Sequence, residues 1–345
     1  GYTLGEACYN WDIMEKVMRH HIEKYAFDVN IDNGWRNPNG MRRAFGWERH
    51  VIDDEKGSVE VIDSALMDLV DEFKEYMADP QAFLWTKMLP RRRKSCGAEG
   101  PMTKKQLYNG ALEFVKYQQY LTKMNDATLN EYQIPLLCGP VLGAPYESIY
   151  GSWRGIRLTG GDLRRHPNEC MEICDWIWEN QSQKTLNNAI NGDTSMFIFD
   201  SKLPMLGHSI LNTKQFEKFY WPALDKIFTA HAEAGKTTFV NCEANMIRFA
   251  DFFNEVPRGV AMVILEMDDI FEFRKVMPNL AVAGGMTNYM LQNGTKQECL
   301  NFTKKLVDEL GEGYAMSQNK LGAYRNDGKS ENVLAVNEFL KDYKA

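Results

Sequence analysis

The nine residues 237–245, Thr237-Thr238-Phe239-Val240-Asn241-Cys242-Glu243-Ala244-Asn245, decide how the rest of the chain is read. β-Branched and aromatic side chains run as far as Val240, and the polar group Asn241, Cys242, Glu243 follows at once. Such a run is a buried strand. Residues 215–235 before it have the period of an amphipathic helix and stop at Gly235, and residues 246–253 begin another. A buried strand between two helices, with its polar residues gathered at the C-terminal end, is a βα unit of a parallel sheet. Ligands in such folds bind beyond those strand ends, which makes Asn241, Cys242 and Glu243 candidate site residues. A small cysteine packed at a strand end is the plain alternative.

The same pattern recurs outward from this stretch. Residues 133–142 run into Gly143-Ala144-Pro145, and residues 196–200 end in Asp200-Ser201-Lys202. Residues 261–265 run into Glu266-Met267-Asp268-Asp269, 280–283 into Gly284-Gly285-Met286, and 314–317 into Gln318-Asn319-Lys320. With residues 26–32 these make seven strands, and helical patterns fill the intervals. The rhythm is that of an α/β fold, a (β/α)8 TIM barrel, and no Gly-x-Gly-x-x-Gly turn supports a dinucleotide fold instead. The chain opens on Gly1 rather than methionine, so the eighth strand is expected in a segment ahead of it. One domain, 1–345, is expected. Residues 1–132 would carry N-terminal helices and an irregular or hairpin excursion turning at 53–57, and 133–345 the main run of βα units.

Composition sets bounds on function. Of 345 residues, 44% are hydrophobic and 25% charged, a soluble globular balance. A net charge of -7 argues against a general nucleic-acid surface, so Arg91-Arg92-Arg93-Lys94 reads as a solvated loop. No apolar run approaches the roughly 20 residues of a membrane span. Seven scattered cysteines fit a reducing cytoplasm rather than a disulfide framework. Cys170 and Cys174 share a helix face, but no third ligand lies near them, so they read as packing.

Over most of its length, and most strongly from Asp200 to Glu331, the chain resembles the uroporphyrinogen decarboxylase superfamily, and within it the corrinoid-dependent methyltransferases. Four pieces carry the likeness: residues 212–222, the Thr-Phe-Val-Asn-Cys-Glu-Ala-Asn strand, residues 280–286 with Gly294-Thr295, and residues 311–319 followed by Glu331-Asn332. Members of that superfamily that methylate thiols resemble this chain less closely. They carry His-x-Cys on this strand and a second cysteine on the last one, which together hold zinc. Here those positions read Val240 and Asn319, and only Cys242 remains. The arginine-rich N-terminal signature of the decarboxylase itself is not visible.

What the resemblance implies is a methyltransferase acting on a small methylated donor, an aryl methyl ether, with the cobalt of a corrinoid (cobalamin) on a partner protein as acceptor. Cleaving an ether requires the departing oxygen to be stabilised by a proton or a metal. Glu243, Glu266 and Asp200 are the expected catalytic carboxyls at strand ends. Asn241, Met286, Asn319, His208 and Tyr146 are the expected substrate contacts, within an aromatic and methionine set that includes Met205, Tyr150, Tyr289 and Tyr324. Cys242 with Glu243 and Glu266 is the expected set for an altered zinc site, since zinc accepts carboxylate oxygen beside thiolate. Gly284-Gly285 is either a close approach for a cofactor or a tight turn. A tetrapyrrole lyase, the reverse transfer to a thiol or pterin, a non-catalytic partner subunit and a homo-oligomer remain open alternatives.

Overall fold

Residues 1–34, 37–62, 65–68, 70–320 and 327–343 are described by the computed structural model, and they divide into two units. The first comprises residues 1–137 and 152–158, the second 138–151, 159–320 and 327–343.

In the first unit, Asn10 breaks the expected opening helix in two. Its side chain caps the amides of Asp12 and Ile13 and starts α1 (Trp11–Tyr25). A short helix, α2 (Asn39–Phe45), precedes an antiparallel hairpin of β1 (His50–Asp53) and β2 (Ser58–Val61), where the excursion was expected. The basic cluster is not a loop. It lies in the helix Leu89–Ser95, with Arg92 and Arg93 buried and Arg91 paired to Glu72 at 2.6 Å. A capping box of Thr103 and Gln106 begins α3 (Lys104–Asp126). One face of α3 supplies Tyr120 and Met124 to a core with Met14, Met18 and Ile22 of α1. On that inner side Gly110 is required by packing, because a Cβ there would stand 2.1 Å from the Phe45 ring. The expected strand at 26–32 reduces to a single parallel bridge from Asn30 to Leu136, the first residue of β3 (Leu136–Cys138).

The second unit is built on strands that lack a near antiparallel partner and therefore pair in parallel across helical connections. The chain after β3 bonds the next strand through the Gly139 amide and Phe199 carbonyl, and Val141 bridges Lys202 in parallel. The strand expected at 196–200 continues past that point: β4 (Phe197–Phe199) is followed by β5 (Ser201–Met205). Then β6 (Thr238–Cys242), β7 (Ala261–Leu265), β8 (Ala281–Met286) and β9 (Tyr314–Gln318) complete a five-stranded parallel sheet in chain order.

Side chains alternate between the two faces of a strand, and the register places like with like. Leu203, Val240, Val263 and Val282 lie in one row, and Met205, Cys242 and Leu265 in another on the same face. All seven are buried. Between these rows, Pro204, Asn241 and Ile264 face the other way and stay partly accessible. The covered side is closed by aromatic helices, among them α4 (Thr213–Phe219) and α5 (Trp221–Ala234), whose Phe216 stacks on Phe249 at 4.0 Å. Gly285 turns out to be a packing glycine. Its φ is 91°, and a Cβ would meet Leu306 at 2.7 Å, so Gly285 lets β8 pack closely on the neighbouring helix.

Candidate functional site

The C-terminal ends of β5 to β9 divide the expected site residues between the two faces. On the accessible face, Glu243 and Glu266 come immediately after the paired ends Cys242 and Leu265, one residue beyond them and so on the side of Asn241 and Ile264. The Glu243 amide bonds the Met205 carbonyl at 3.2 Å and the Glu266 amide the Cys242 carbonyl at 3.3 Å, which carries the ladder through both residues. Two carboxyls therefore stand on adjacent strands in the same row. Glu243 is open to solvent, yet its proton affinity is raised, first by desolvation and then by the charges of Glu266 and Glu147. The Lys202 charge opposes this shift.

Asn319 completes that side. Its amide nitrogen donates to the Glu266 carbonyl at 2.9 Å, its backbone amide bonds Met286, and its Oδ1 is buried with no partner. Lys320 pairs with the Glu266 carboxylate at 3.4 Å. Asn241, Glu243, Glu266 and Asn319 are thus four expected site residues that do gather at one strand-end surface.

Cys242 and His208 lie on the covered face, and there they meet. The thiol donates to the Ala244 carbonyl at 3.1 Å, and the His208 Nε2 stands 3.4 Å from the sulfur. His208 sits in the turn Gly207–Ile210 beyond β5, fully buried against the rings of Tyr220 and Phe249. Burial pushes the thiol up to about 12, and burial with the nearby Arg248 charge holds the imidazole down to about 4. Both shifts favour the neutral forms, so this is a thiol–imidazole pair at rest and not an activated nucleophile.

Three further expectations are corrected by placement. Asp200 does not lie at the mouth: it precedes β5, at the N-terminal end of the sheet. There it accepts bonds from Lys236 at 2.8 Å, from Thr194 and from the Thr237 amide at 2.7 Å, just ahead of β6. Met286 is buried with Leu291, Cys299 and Val336, and Met205 is buried too. Tyr146 is fully buried beside Tyr150 and Tyr220. Tyr324 lies outside the described residues.

The zinc set does not assemble either. Adjacent residues of one strand point to opposite faces, so Cys242 and Glu243 are not placed to hold one metal ion together. Among the described residues no three His, Cys, Asp or Glu side chains are placed to hold a metal ion.

Two site residues escaped the sequence. Lys202 lies within β5, nearly buried, and its charge reaches Glu243. Glu147, on the helix Pro145–Ser148, accepts at Oε1 from the amides of Leu206 (2.8 Å) and Gly207 (2.9 Å) and from the Tyr220 hydroxyl. Desolvation raises its proton affinity, although these donors oppose the shift. Its position just after the loop Gly143-Ala144-Pro145, where strand gives way to helix, was the signal available.

A family model described as uroporphyrinogen decarboxylase (URO-D) matches residues 136–319, more than half of the chain. The chain belongs to the uroporphyrinogen decarboxylase family. The match begins at β3 and ends on Asn319, so it spans every strand that forms this site. The solved structure of a methyltransferase from Methanosarcina mazei aligns with a TM-score of 0.60 at 11% identity, over 99% of this chain and 88% of that one. The likeness carries the fold, and with the family it makes this uroporphyrinogen decarboxylase relative a TIM barrel. No curated protein sequence matches it.

Proposed function

We propose that the protein is a methyltransferase that moves a methyl group from a small methylated donor, an aryl methyl ether, to the cobalt of a corrinoid carried by a partner protein. The observation that carries this reading is the Glu243–Glu266 pair at the exits of β6 and β7. A carboxyl whose proton affinity is raised, standing beside a second carboxyl, is the kind of acid a departing oxygen calls for. Family membership supports the barrel mouth as the place of chemistry, and the likeness to the Methanosarcina methyltransferase supports methyl transfer as its class.

In this reading Glu243 gives its proton to the phenolate oxygen as the carbon–oxygen bond breaks. Desolvation first and the Glu266 charge second raise the proton affinity of Glu243, and Asn319 holds the Glu266 backbone in place. Asn241 offers an amide to the donor on the same face. The corrinoid supplies a cobalt(I) nucleophile, so this chain has to activate only the leaving group. Beyond β7 and β8 the exposed Met267 and Tyr289 offer apolar surface that suits the flat face of a macrocycle. The donor atoms present do not suit zinc, and no step uses it.

The test is formation of methylcobalamin from cob(I)alamin with guaiacol-like donors, followed by absorbance. Methyl transfer from aryl ethers supports the proposal. Methylation of a thiol or pterin by methylcobalamin without the forward reaction would reverse the direction assigned. Decarboxylation of a tetrapyrrole without corrinoid would replace the reading.

A further inference from the structure

Among the described residues the Glu243 carboxyl makes no hydrogen bond or ion pair, so its position follows from the backbone that carries it. That backbone is the irregular stretch 243–246 after β6, which belongs to no helix or strand. Chain of this kind is mobile unless side chains tie it down. One side chain from the neighbouring strand exit does so. Asp268 Oδ2 accepts from the Met246 amide at 2.6 Å and from the Ile247 amide at 3.3 Å, and Asp268 Oδ1 accepts from the side-chain amide of Asn245. Asp268 is half-buried, where such bonds gain strength.

The turn that supplies this carboxyl is itself anchored at both ends. Asp268 lies within residues 266–269, between β7 and the helix Ile270–Val276. At one end Asn319 donates to the Glu266 carbonyl at 2.9 Å. At the other, Asp269 caps the amides of Phe271 and Glu272, both at 2.9 Å. A single short turn therefore carries Glu266 and also grips the stretch that carries Glu243. Arg248 braces the far end of that stretch, donating to the carbonyls of His208 at 2.7 Å and Leu211 at 2.8 Å beyond β5.

Resting on the reading of Glu243 and Glu266 as the reacting pair, we propose that Asp268 is their positioning residue and fixes the distance between the two carboxyls. It acts through the backbone on both sides: Glu266 is two residues before it in the chain, and its hydrogen bonds reach the residues just after Glu243. The role does not require Asp268 to touch the donor.

A disulfide reports that distance without needing catalysis. Facing residues on adjacent strands lie about 4.8 Å apart, within the range of about 4.4–6.8 Å between the Cα atoms of a disulfide. Glu243→Cys with Glu266→Cys in the full chain should therefore close on mild oxidation, with the link located by peptide mapping. Adding Asp268→Ala should slow closure by about tenfold or more, and Asp268→Asn, which keeps one acceptor oxygen, should slow it less. In the chain that retains both glutamates, Asp268→Ala should lower methyl-transfer kcat by about 10–100-fold while KM for the donor stays unchanged, and Asp268→Asn should show a smaller loss. Closure as fast with Asp268→Ala as without it overturns the proposal, as does failure to close when Asp268 is intact. A kcat unaffected by Asp268→Ala overturns it as well. Slowed closure in a protein whose wild type transfers no methyl group supports the role of Asp268 and overturns only the reaction.

Discussion

Replacing Asp200 by Asn separates a catalytic carboxyl from a structural one, and the structure assigns Asp200 to the second kind. One carboxylate oxygen accepts from Lys236 at 2.8 Å and from Thr194, the other from the Thr237 amide at 2.7 Å and its hydroxyl at 3.2 Å. Burial opposes the charge, but these donors and the Lys236 charge outweigh it and bring the carboxyl from 3.8 to about 2. A lowering of that size contributes about 2 kcal/mol of stability once partial solvent screening is allowed for. Because the folded value lies below the unfolded one, the contribution is complete above pH 3.8 and disappears as pH falls towards 2. Asp200→Asn keeps one acceptor oxygen, turns an NH₂ towards donors and leaves Lys236 without its counter-ion. It should therefore cost about 2 kcal/mol at pH 7 in urea unfolding. The gap from wild type should narrow below pH 4. Turnover per folded molecule should not change. A variant as stable as wild type, or one that folds normally and has lost turnover, would refute this account.

Other substitutions address the site and the packing. Glu243→Gln should lower methyl-transfer turnover by about 10²–10⁴-fold, the usual value of a general acid, while donor binding measured by calorimetry changes little. Cys242 should resist alkylation at pH 8 in the folded protein, since a thiol at about 12 is ionised to only about one part in 10⁴. It should react once the chain is unfolded, and stoichiometric labelling of the native protein at Cys242, located by mass spectrometry, would count against a buried thiol. Gly110→Ala should lower the melting temperature despite the roughly 1 kcal/mol of helix propensity gained. Crowding of the Phe45 ring costs about 1–3 kcal/mol.

The sheet was legible where the physics is local. β6 and β7 are β-branched and apolar, bounded by turn residues, and both lie where their sequences put them. β5 was not legible, because Ser201-Lys202-Leu203-Pro204-Met205 lacks the composition of a strand and is held as one by its neighbours. Asp200 was consequently taken for a strand end when it marks a strand start. The basic segment 91–94 misled for a related reason: Arg91 is anchored by Glu72, nineteen residues before it, which no local pattern reveals.

The site was half legible, and strand parity explains which half. Asn241, Glu243, Ile264 and Glu266 fall on one face by counting alone, while Val240, Cys242 and Leu265 fall on the other. By the resemblance given above, the thiol-methylating members of the superfamily, from which this chain departs, would carry His-x-Cys at the positions of Val240 and Cys242. Those positions are two apart and share a face. In this chain that face is closed: Val240 is fully buried, and Cys242 is occupied by Ala244 and by a histidine delivered from another strand's exit loop. Water and a substrate thiol have no access there, so zinc-thiolate chemistry has lost both its ligands and its entrance. The polar residues that remain accessible are one position out of phase with Cys242. The proposed reaction is therefore assigned to the carboxyls of the other face, and it depends on Glu243 rather than Cys242.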